Sequence, residues 1–199
     1  MLVLTLVLVK CLPLPDNWQI RGLNMTKKQA LLKAAEDKVR SGGYSNFSFR
    51  ELAKEVGIKS ASVHYHFPTK ADLGAALARQ YTDYFMDLLG DPGEIHKADK
   101  SPIQVYTTQF RRALLEDKKM CLCGLLGAET DCLPEKVQQE TKRFFRLNLE
   151  WLQVAHKLND PIDVEQKAAS TLSLLEGAMM VSKALGDNCF FDQATNSLK

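Results

Sequence analysis

The sequence predicts an all-α protein with a small N-terminal helical unit followed by a larger helical body. Two observations carry this prediction: apolar residues recur every three or four positions, and several polar residues have the spacing of helix caps. The 199 residues are 45% hydrophobic and 25% charged, which is enough to form one sizeable domain or two small ones. With only 7 Pro and 11 Gly, the chain is neither collagen-like nor of low complexity.

Helix starts are marked by Ser or Thr residues that are followed three positions later by Glu, Gln or Asp. This is the spacing of a capping box, in which each side chain bonds an unpaired backbone N–H of the first turn. The pairs are Thr26 with Gln29, Ser48 with Glu51, Thr69 with Asp72, and Ser101 with Gln104. Pro134 and Pro161 are expected at first helical positions.

Glycines end the apolar runs at 42–43, 57, 90–93 and 186. Together with the starts they predict helices over about 26–41, 48–55, 60–66, 70–89, 101–118, 121–131, 134–158 and 162–185.

The first 24 residues are interpreted as an N-terminal extension, and we expect the functional chain to begin at Met25. Residues 1–9 are apolar but lack the basic start of a signal peptide, and they are far shorter than the roughly 20 residues of a membrane span. The five Cys, at positions 11, 121, 123, 132 and 189, have no disulfide-framework spacing. We therefore expect a cytoplasmic protein with reduced thiols and no membrane segment.

Charge is distributed unevenly along the chain, although the net charge is only +2. Residues 25–80 contain ten Lys and Arg against five Asp and Glu, whereas residues 81–199 contain 14 against 18. A basic N-terminal region on an acidic remainder is typical of a protein with one polyanion-binding face.

The predicted second and third helices are separated by Gly57-Ile58-Lys59, a turn as short as that of a helix-turn-helix. Glycine can adopt the positive φ that such a turn requires, and Ile58 can fill the corner between the helices. The third helix, 60–66, presents hydroxyl, imidazole and phenol groups without a carboxylate. Such a surface suits a groove lined with phosphates.

The stretch 47–73, FSFRELAKEVGIKSASVHYHFPTKADL, resembles the DNA-binding domain of the TetR family of transcriptional regulators. The resemblance rests on Leu52-Ala53, Gly57-Ile58, the segment YHFPTK at 65–70, and Leu73. It implies a three-helix helix-turn-helix DNA-binding domain over 25–72. A helical effector-binding and dimerisation domain would then occupy 73–199.

The resemblance implies that the helix beginning at Ser60 enters the major groove and that the helix beginning at Ser48 points its N-terminus at phosphate. Lys70 resembles the phosphate-binding lysine of the family. Lys59 and His64 differ from the residues of many members, and which residues of 59–65 read bases stays open. The expected DNA-binding residues are Ser48, Arg50, Lys59, Ser60, Ser62, His64, Tyr65, His66 and Lys70. For His66, packing within the unit is an equal alternative.

The last two predicted helices are apolar on more than one side. Helix 134–158 has two apolar stripes, and helix 162–185 has a stripe of small residues beside an apolar one. In the family this arrangement forms a homodimer through a four-helix bundle, and the alternative is burial within a single subunit.

The resemblance also implies a pocket for an unidentified small-molecule effector among helices 70–89, 101–118 and 121–131. Candidate effector-binding or sensing residues are Cys121, Cys123 and Trp151. As a hypothesis, a thiol could react with an electrophile if Lys118 or Lys119 lowers its pKa. The alternative is that both cysteines are small buried apolar side chains.

Catalytic, cofactor and metal sites are not expected. The chain lacks G-x-S-x-G, Walker A, G-x-G-x-x-G and H-E-x-x-H, and its Cys-x-Cys has no second pair at zinc spacing. We expect a homodimeric, ligand-responsive transcriptional regulator, a repressor that binds a palindromic double-stranded DNA operator. The alternative is a helical ligand-binding or scaffold protein without operator binding.

Overall fold

The computed structural model describes residues 25–198, and within them the chain forms ten α-helices. Their bounds are α1 Lys27–Gly42, α2 Phe49–Val56, α3 Ser60–His66, α4 Lys70–Leu89, α5 Pro92–Lys97, α6 Pro102–Leu115, α7 Leu122–Ala128, α8 Glu135–Asn159, α9 Val164–Leu185 and α10 Cys189–Ala194. The prediction of an all-α fold is confirmed. The interpretation of residues 1–24 and the expectation for Cys11 lie outside the described residues.

The capping residues explain where the helices begin. Complete capping boxes form at Thr26, Ser48 and Thr69, as predicted. At Ser101 the Gln104 backbone N–H donates to the Ser101 hydroxyl at 3.3 Å without the reciprocal bond of a full box, and Pro134 is the N-cap of α8, one residue before the predicted position. The prediction for Pro161 is wrong, because α9 begins three residues later, after Asp163 with a φ of 52°. Pro161 therefore lies in the connection between α8 and α9.

Two short helices were missed by the sequence analysis. The segment 90–93 was predicted only as a stop, but Asp91 accepts a hydrogen bond from the Glu94 backbone N–H at 2.9 Å and begins α5 directly after α4 ends. Pro92 occupies the first turn, where its missing N–H costs nothing. The second missed helix, α10, is anchored by the buried Phe191.

The N-terminal unit, α1 to α3, packs around Leu31, Val39, Leu52, Val63 and Phe67, which are all buried. Because α4 leaves this unit and packs along α8, it belongs to both parts of the molecule. These buried residues are continuous with the core of the larger body.

The body is built around an aromatic cluster. The ring of Phe85 lies 5.8 Å from those of Tyr106 and Phe144 and 5.9 Å from that of Phe110, measured between ring centroids. The Tyr106 hydroxyl is satisfied inside the core, where it donates to Asn148 Oδ1 at 2.7 Å. Among the helices of residues 25–198, none has the combination of length and apolar content that crossing a membrane requires.

Candidate nucleic-acid interface and internal pocket

The turn between α2 and α3 fixes the direction in which α3 leaves the N-terminal unit. Gly57 adopts the left-handed conformation, with φ 71° and ψ 35°. The Ile58 backbone N–H donates to the Ala53 carbonyl at 2.9 Å and that of Gly57 donates to the Lys54 carbonyl at 3.3 Å, which together form a Schellman motif. This motif holds α3 at an angle to α2.

Two faces of α3 have opposite environments. Val63 and Phe67 are buried in the unit, whereas Tyr65, on the other side, is 85% exposed. The other predicted DNA-binding residues of this segment are also not buried: Lys59, Ser60 and His64 are exposed, and Ser62 and His66 are half-buried. None of these six predicted residues is buried, and we call the surface that they form around α3 the α3 face.

Three rings of the α3 face have local contacts. His64 Nδ1 lies 3.2 Å from the Pro68 carbonyl oxygen, and its ring lies 4.9 Å from that of Phe49. The rings of Tyr65 and His66 are 5.2 Å apart. Local contacts of this kind reduce the rotamer freedom that would be lost on binding a ligand.

The N-terminus of α2 lies beside a fixed lysine. Lys70 Nζ donates to the Phe47 carbonyl at 2.8 Å, and it is 4.3 Å and 4.9 Å from the ring centroids of Phe47 and Tyr44. Partial burial lowers the pKa of Lys70. An ammonium group has three donors, so Lys70 can bind an anion while it keeps the bond to Phe47.

Ser48 and Arg50, the two predicted DNA-binding residues at the start of α2, are exposed. Ser48 is the N-cap, and its backbone N–H and hydroxyl donate to Glu51 Oε2 at 2.9 Å and 2.8 Å. These hydrogen bonds hold the pKa of Glu51 below its usual value. The Ser48 side chain is therefore already used within the helix, whereas the exposed Arg50 supplies a cation on the first turn.

One buried and one partly buried contact connect the N-terminal unit to the body. Arg40 Nε donates to the Met120 carbonyl at 2.7 Å, and its guanidinium pairs with Glu36 and Asp117 at 3.1 Å and 3.4 Å. The Tyr44 backbone N–H donates to Glu129 Oε2 at 2.9 Å. Both contacts reach residues at the ends of α7. We call the two contacts together the α1–α7 connection.

Gly43 is required by this connection. Its φ is 79°, and a Cβ atom at this position would overlap the Glu129 carboxylate. A larger residue would therefore be strained and would also push Glu129 away from Tyr44.

A pocket of about 810 Å³ lies between α7, α8 and α9. Its floor includes Met120, Gly124 and Gly127, and its walls include Phe145, Leu172 and Met180. Glu176 of α9 also lines it, and because burial opposes ionisation, the pKa of Glu176 is raised to about 7. A Cβ atom on Gly124 would overlap the Glu176 carboxylate, so this glycine makes room for it.

The predicted sensing residues lie in the core and not among the residues that line this pocket. Cys121 and Cys123 are 3% and 0% exposed, and burial, with the nearby Glu176 carboxylate, raises the pKa of both thiols. Lys119 pairs with Asp37, and the Lys118 carbonyl accepts a hydrogen bond from Lys183. The condition that a neighbouring lysine lowers a thiol pKa is therefore contradicted.

Trp151 is a structural anchor. Its indole N–H donates to the Gly90 carbonyl at 2.7 Å, and its ring lies 5.4 Å from that of Tyr106. The side chain closes the junction of α4 and α5 against α8, away from the residues that line the pocket.

Neither Glu176 nor Arg40 was predicted from the sequence as a functional residue. A signal for Glu176 was present, because it is the single charged residue in the apolar stretch 171–182. Arg40 has no comparable signal, because two of its three partners, Met120 and Asp117, are about 80 residues away in the sequence, and a pair such as Glu36 with Arg40 is equally typical of an exposed helix face. Within residues 25–198, no group of three or more His, Cys, Asp or Glu is arranged to hold a metal ion.

A capped three-helix unit with an outward-facing third helix, attached to a helical body with a pocket, is the arrangement of a helix-turn-helix transcriptional regulator. The family model for bacterial regulatory proteins of the tetR family matches residues 31–77, which span α1 to the first half of α4.

The chain is 31% identical to a TetR transcriptional regulator from Legionella pneumophila. The match covers 88% of this chain and 97% of that crystal structure, with a TM-score of 0.79. A TetR-family regulator from Agrobacterium tumefaciens is 28% identical, with 86% and 95% covered and a TM-score of 0.73. The HTH-type transcriptional regulator LmrA of Bacillus subtilis is 26% identical over 163 residues, which cover 78% of this chain and 85% of LmrA. The chain belongs to the TetR family of transcriptional regulators.

Proposed function

We propose that the chain is a homodimeric, ligand-responsive repressor that binds a palindromic DNA operator through the α3 face. The observation that carries this proposal is the α3 face itself. It presents Tyr65, His64, Ser60 and Lys59 to solvent on a helix without a carboxylate. Hydroxyl, imidazole and ammonium groups can bond base edges and phosphates, whereas a carboxylate would repel the phosphate backbone.

The proposed contacts divide into two classes. Lys70 and the first turn of α2, with Arg50, would contact phosphates and set the position of the unit on the duplex. Residues of the α3 face would contact base edges in the major groove. We place the DNA-binding domain at 25–72 and the effector-binding and dimerisation domain at 73–199, with α4 crossing the boundary.

The homodimer would form through α8 and α9. These helices and their connection leave large apolar side chains exposed: Val154, Leu158, Ile162, Met180, Val181 and Leu185. Ser173, Gly177 and Ala184 on α9 are small and exposed, which allows close approach of a second helix. A two-fold dimer would present two α3 helices to half-sites about one DNA turn apart, or a multiple of it.

A small molecule in the pocket between α7, α8 and α9 would regulate DNA binding through the α1–α7 connection. Met120 both lines the pocket and accepts the hydrogen bond from Arg40, so a shift of α7 would be transmitted to α1. The ligand releases DNA only if it binds one arrangement of α7 more tightly than the other.

Fluorescence anisotropy with labelled DNA duplexes tests the proposal. The logarithm of the association constant should fall linearly with the logarithm of salt concentration, with a slope of about −0.9 for each phosphate contacted. Lys59→Ala should weaken binding, whereas Lys97→Ala, which changes another exposed lysine far along the chain on α5, should not.

A salt slope near zero would contradict operator binding. That outcome would favour a helical ligand-binding or scaffold protein without operator binding.

A further inference from the structure

The carboxyl group of Glu176 is buried at the pocket wall without a full set of partners. Its Oε1 atom is shielded from solvent and accepts no hydrogen bond from any residue of 25–198. Its other contacts include the Cys121 thiol. A buried acceptor without a donor is destabilising, so a group that supplies the donor or a positive charge would bind there favourably.

The Glu176 carboxyl is the main ionisable group in the inner part of the pocket. Cys121, Cys123 and Tyr106 lie near it, and burial raises the pKa of all three, so they are neutral at neutral pH. Glu135 and Lys142 also line the pocket, but both are exposed. Thr141 also lines the pocket and is buried, but its hydroxyl donates to the Val137 carbonyl at 2.9 Å, so Glu176 is the shielded ionisable residue of the lining.

We propose that this pocket binds a small, largely apolar organic cation whose positive charge pairs with the Glu176 carboxylate. The inference rests on the proposed function, because such a cation would be the effector that releases DNA.

The pocket has the size and lining for such a ligand. Its volume of about 810 Å³ lies within the usual range for sites that bind drug-sized molecules. Phe145 supplies an aromatic ring and Met120 and Met180 supply flexible thioethers, and both groups interact favourably with a cation or its apolar substituents. Gly124 keeps the approach to the carboxylate open, because a side chain there would overlap it.

The test compares two probes of similar size and shape and opposite charge, tetraphenylphosphonium and tetraphenylborate, by calorimetric titration of the full chain. The phosphonium should bind about tenfold more tightly or better, since an isolated buried charge favours its opposite strongly. Glu176→Gln should remove this preference. Glu135→Gln, which changes the exposed carboxylate of the same pocket, should keep it within about twofold.

Wild-type protein gives a second readout that needs no variant. Because the pKa of Glu176 is about 7, its ionised fraction rises steeply between pH 6 and pH 8. Affinity for the phosphonium, whose own charge does not titrate, should therefore rise by about tenfold over this interval.

Equal affinity for the two probes, a pH-independent affinity, or a charge preference that survives in a folded Glu176→Gln variant would overturn the proposal. A lysine or arginine of a second copy could instead occupy the pocket. Wild-type protein would then not bind the phosphonium and Glu176→Gln would weaken dimerisation, which would also overturn it.

The two proposals fail separately. If the protein binds duplex DNA normally but shows no preference for the cationic probe, only the cation proposal is contradicted. If it prefers the cationic probe but does not bind duplex DNA, the repressor function is contradicted and the cation site is retained.

Discussion

The polar groups of the α3 face are in contact with water, whereas the Glu176 carboxyl at the pocket wall is shielded from it. Tyr65 and Lys59 are surrounded by water, and changing them alters little of the packing that holds the fold. Glu176 is shielded, with an acceptor that has no partner in the described chain. Solvated groups contribute modest and salt-sensitive energies, whereas a buried charge changes stability and responds strongly to pH. The two regions should therefore respond differently to mutation.

The N-terminal unit that carries the α3 face is joined to the body that contains the pocket at the α1–α7 connection. Arg40 is buried like the Glu176 carboxyl, but each of its three guanidinium nitrogens has a hydrogen-bond partner among Met120, Glu36 and Asp117. A satisfied buried charge fixes geometry, whereas an unsatisfied one favours a ligand. We therefore expect the connection to be rigid and, as proposed above, the pocket to be the site that binds a ligand.

The largest effect is expected from breaking the connection. Arg40→Met removes the bond to Met120 and leaves Glu36 and Asp117 without their shared partner, so unfolding free energy should fall by about 3 kcal/mol. Urea denaturation at a fixed protein concentration measures this. Lys97→Met, which breaks an exposed ion pair with Glu94, should change stability by less than about 0.5 kcal/mol. Equal effects would contradict the distinction between buried and exposed charge.

The second effect concerns the pH dependence of stability. The pKa of Glu176 is about 7 in the folded protein and near 4.5 in the unfolded chain. Between these values the folded state retains a proton that the unfolded state has released, so stability falls as pH rises toward 7. The loss should be about 2 to 3 kcal/mol.

Urea denaturation of wild type and Glu176→Gln across pH 5 to 8 measures this loss. The variant should lack that part of the decline, and Glu135→Gln should follow wild type. Parallel curves for wild type and Glu176→Gln would show that the Glu176 carboxyl is not shielded.

Two glycines with similar backbone conformations allow an effect on DNA binding to be distinguished from an effect on stability alone. Gly57 and Gly186 have φ of 71° and 67°, both left-handed, and a Cβ atom at either position would meet no neighbour. Substitution by Ala should destabilise each by about 1 to 2 kcal/mol. Only Gly57→Ala should weaken duplex binding, because Gly57 orients α3. Equal duplex affinity of the two variants would show that DNA binding does not depend on the orientation that Gly57 gives to α3.

The smallest effect is expected at the proposed phosphate contact. Lys70→Ala should weaken duplex binding about fivefold and about equally for all sequences, and it should reduce the salt slope by about one. Anisotropy titrations with several duplexes measure both quantities, with Lys97→Ala as the control. A sequence-dependent loss would mean that Lys70 contributes to base reading.

Local signals allowed most of the fold to be predicted. The capping boxes at Thr26, Ser48 and Thr69 and the turn at Gly57 each act within a few residues, so they can be read from a short stretch. The same holds for the α3 face. The helix α5 was missed because Gly90 and Asp91 combine a helix end and a helix start in two residues.

The pocket and the connection could not be predicted in the same way. The pocket combines residues near 124, 142 and 176 of the chain, and the connection joins Arg40 to Met120. No local pattern fixes such distances, because they depend on how the helices pack. The cysteines illustrate the point: their burial, and not the lysines beside them in the sequence, sets the direction of their pKa shifts.

Sedimentation of a labelled palindromic duplex, selected from a random pool by binding to the full chain, tests the central claim most directly. At low salt the account predicts a complex with an even number of chains per duplex, two for a single pair of half-sites, which disperses as salt is raised. A duplex that sediments free at low salt, or that carries a single chain, would contradict it.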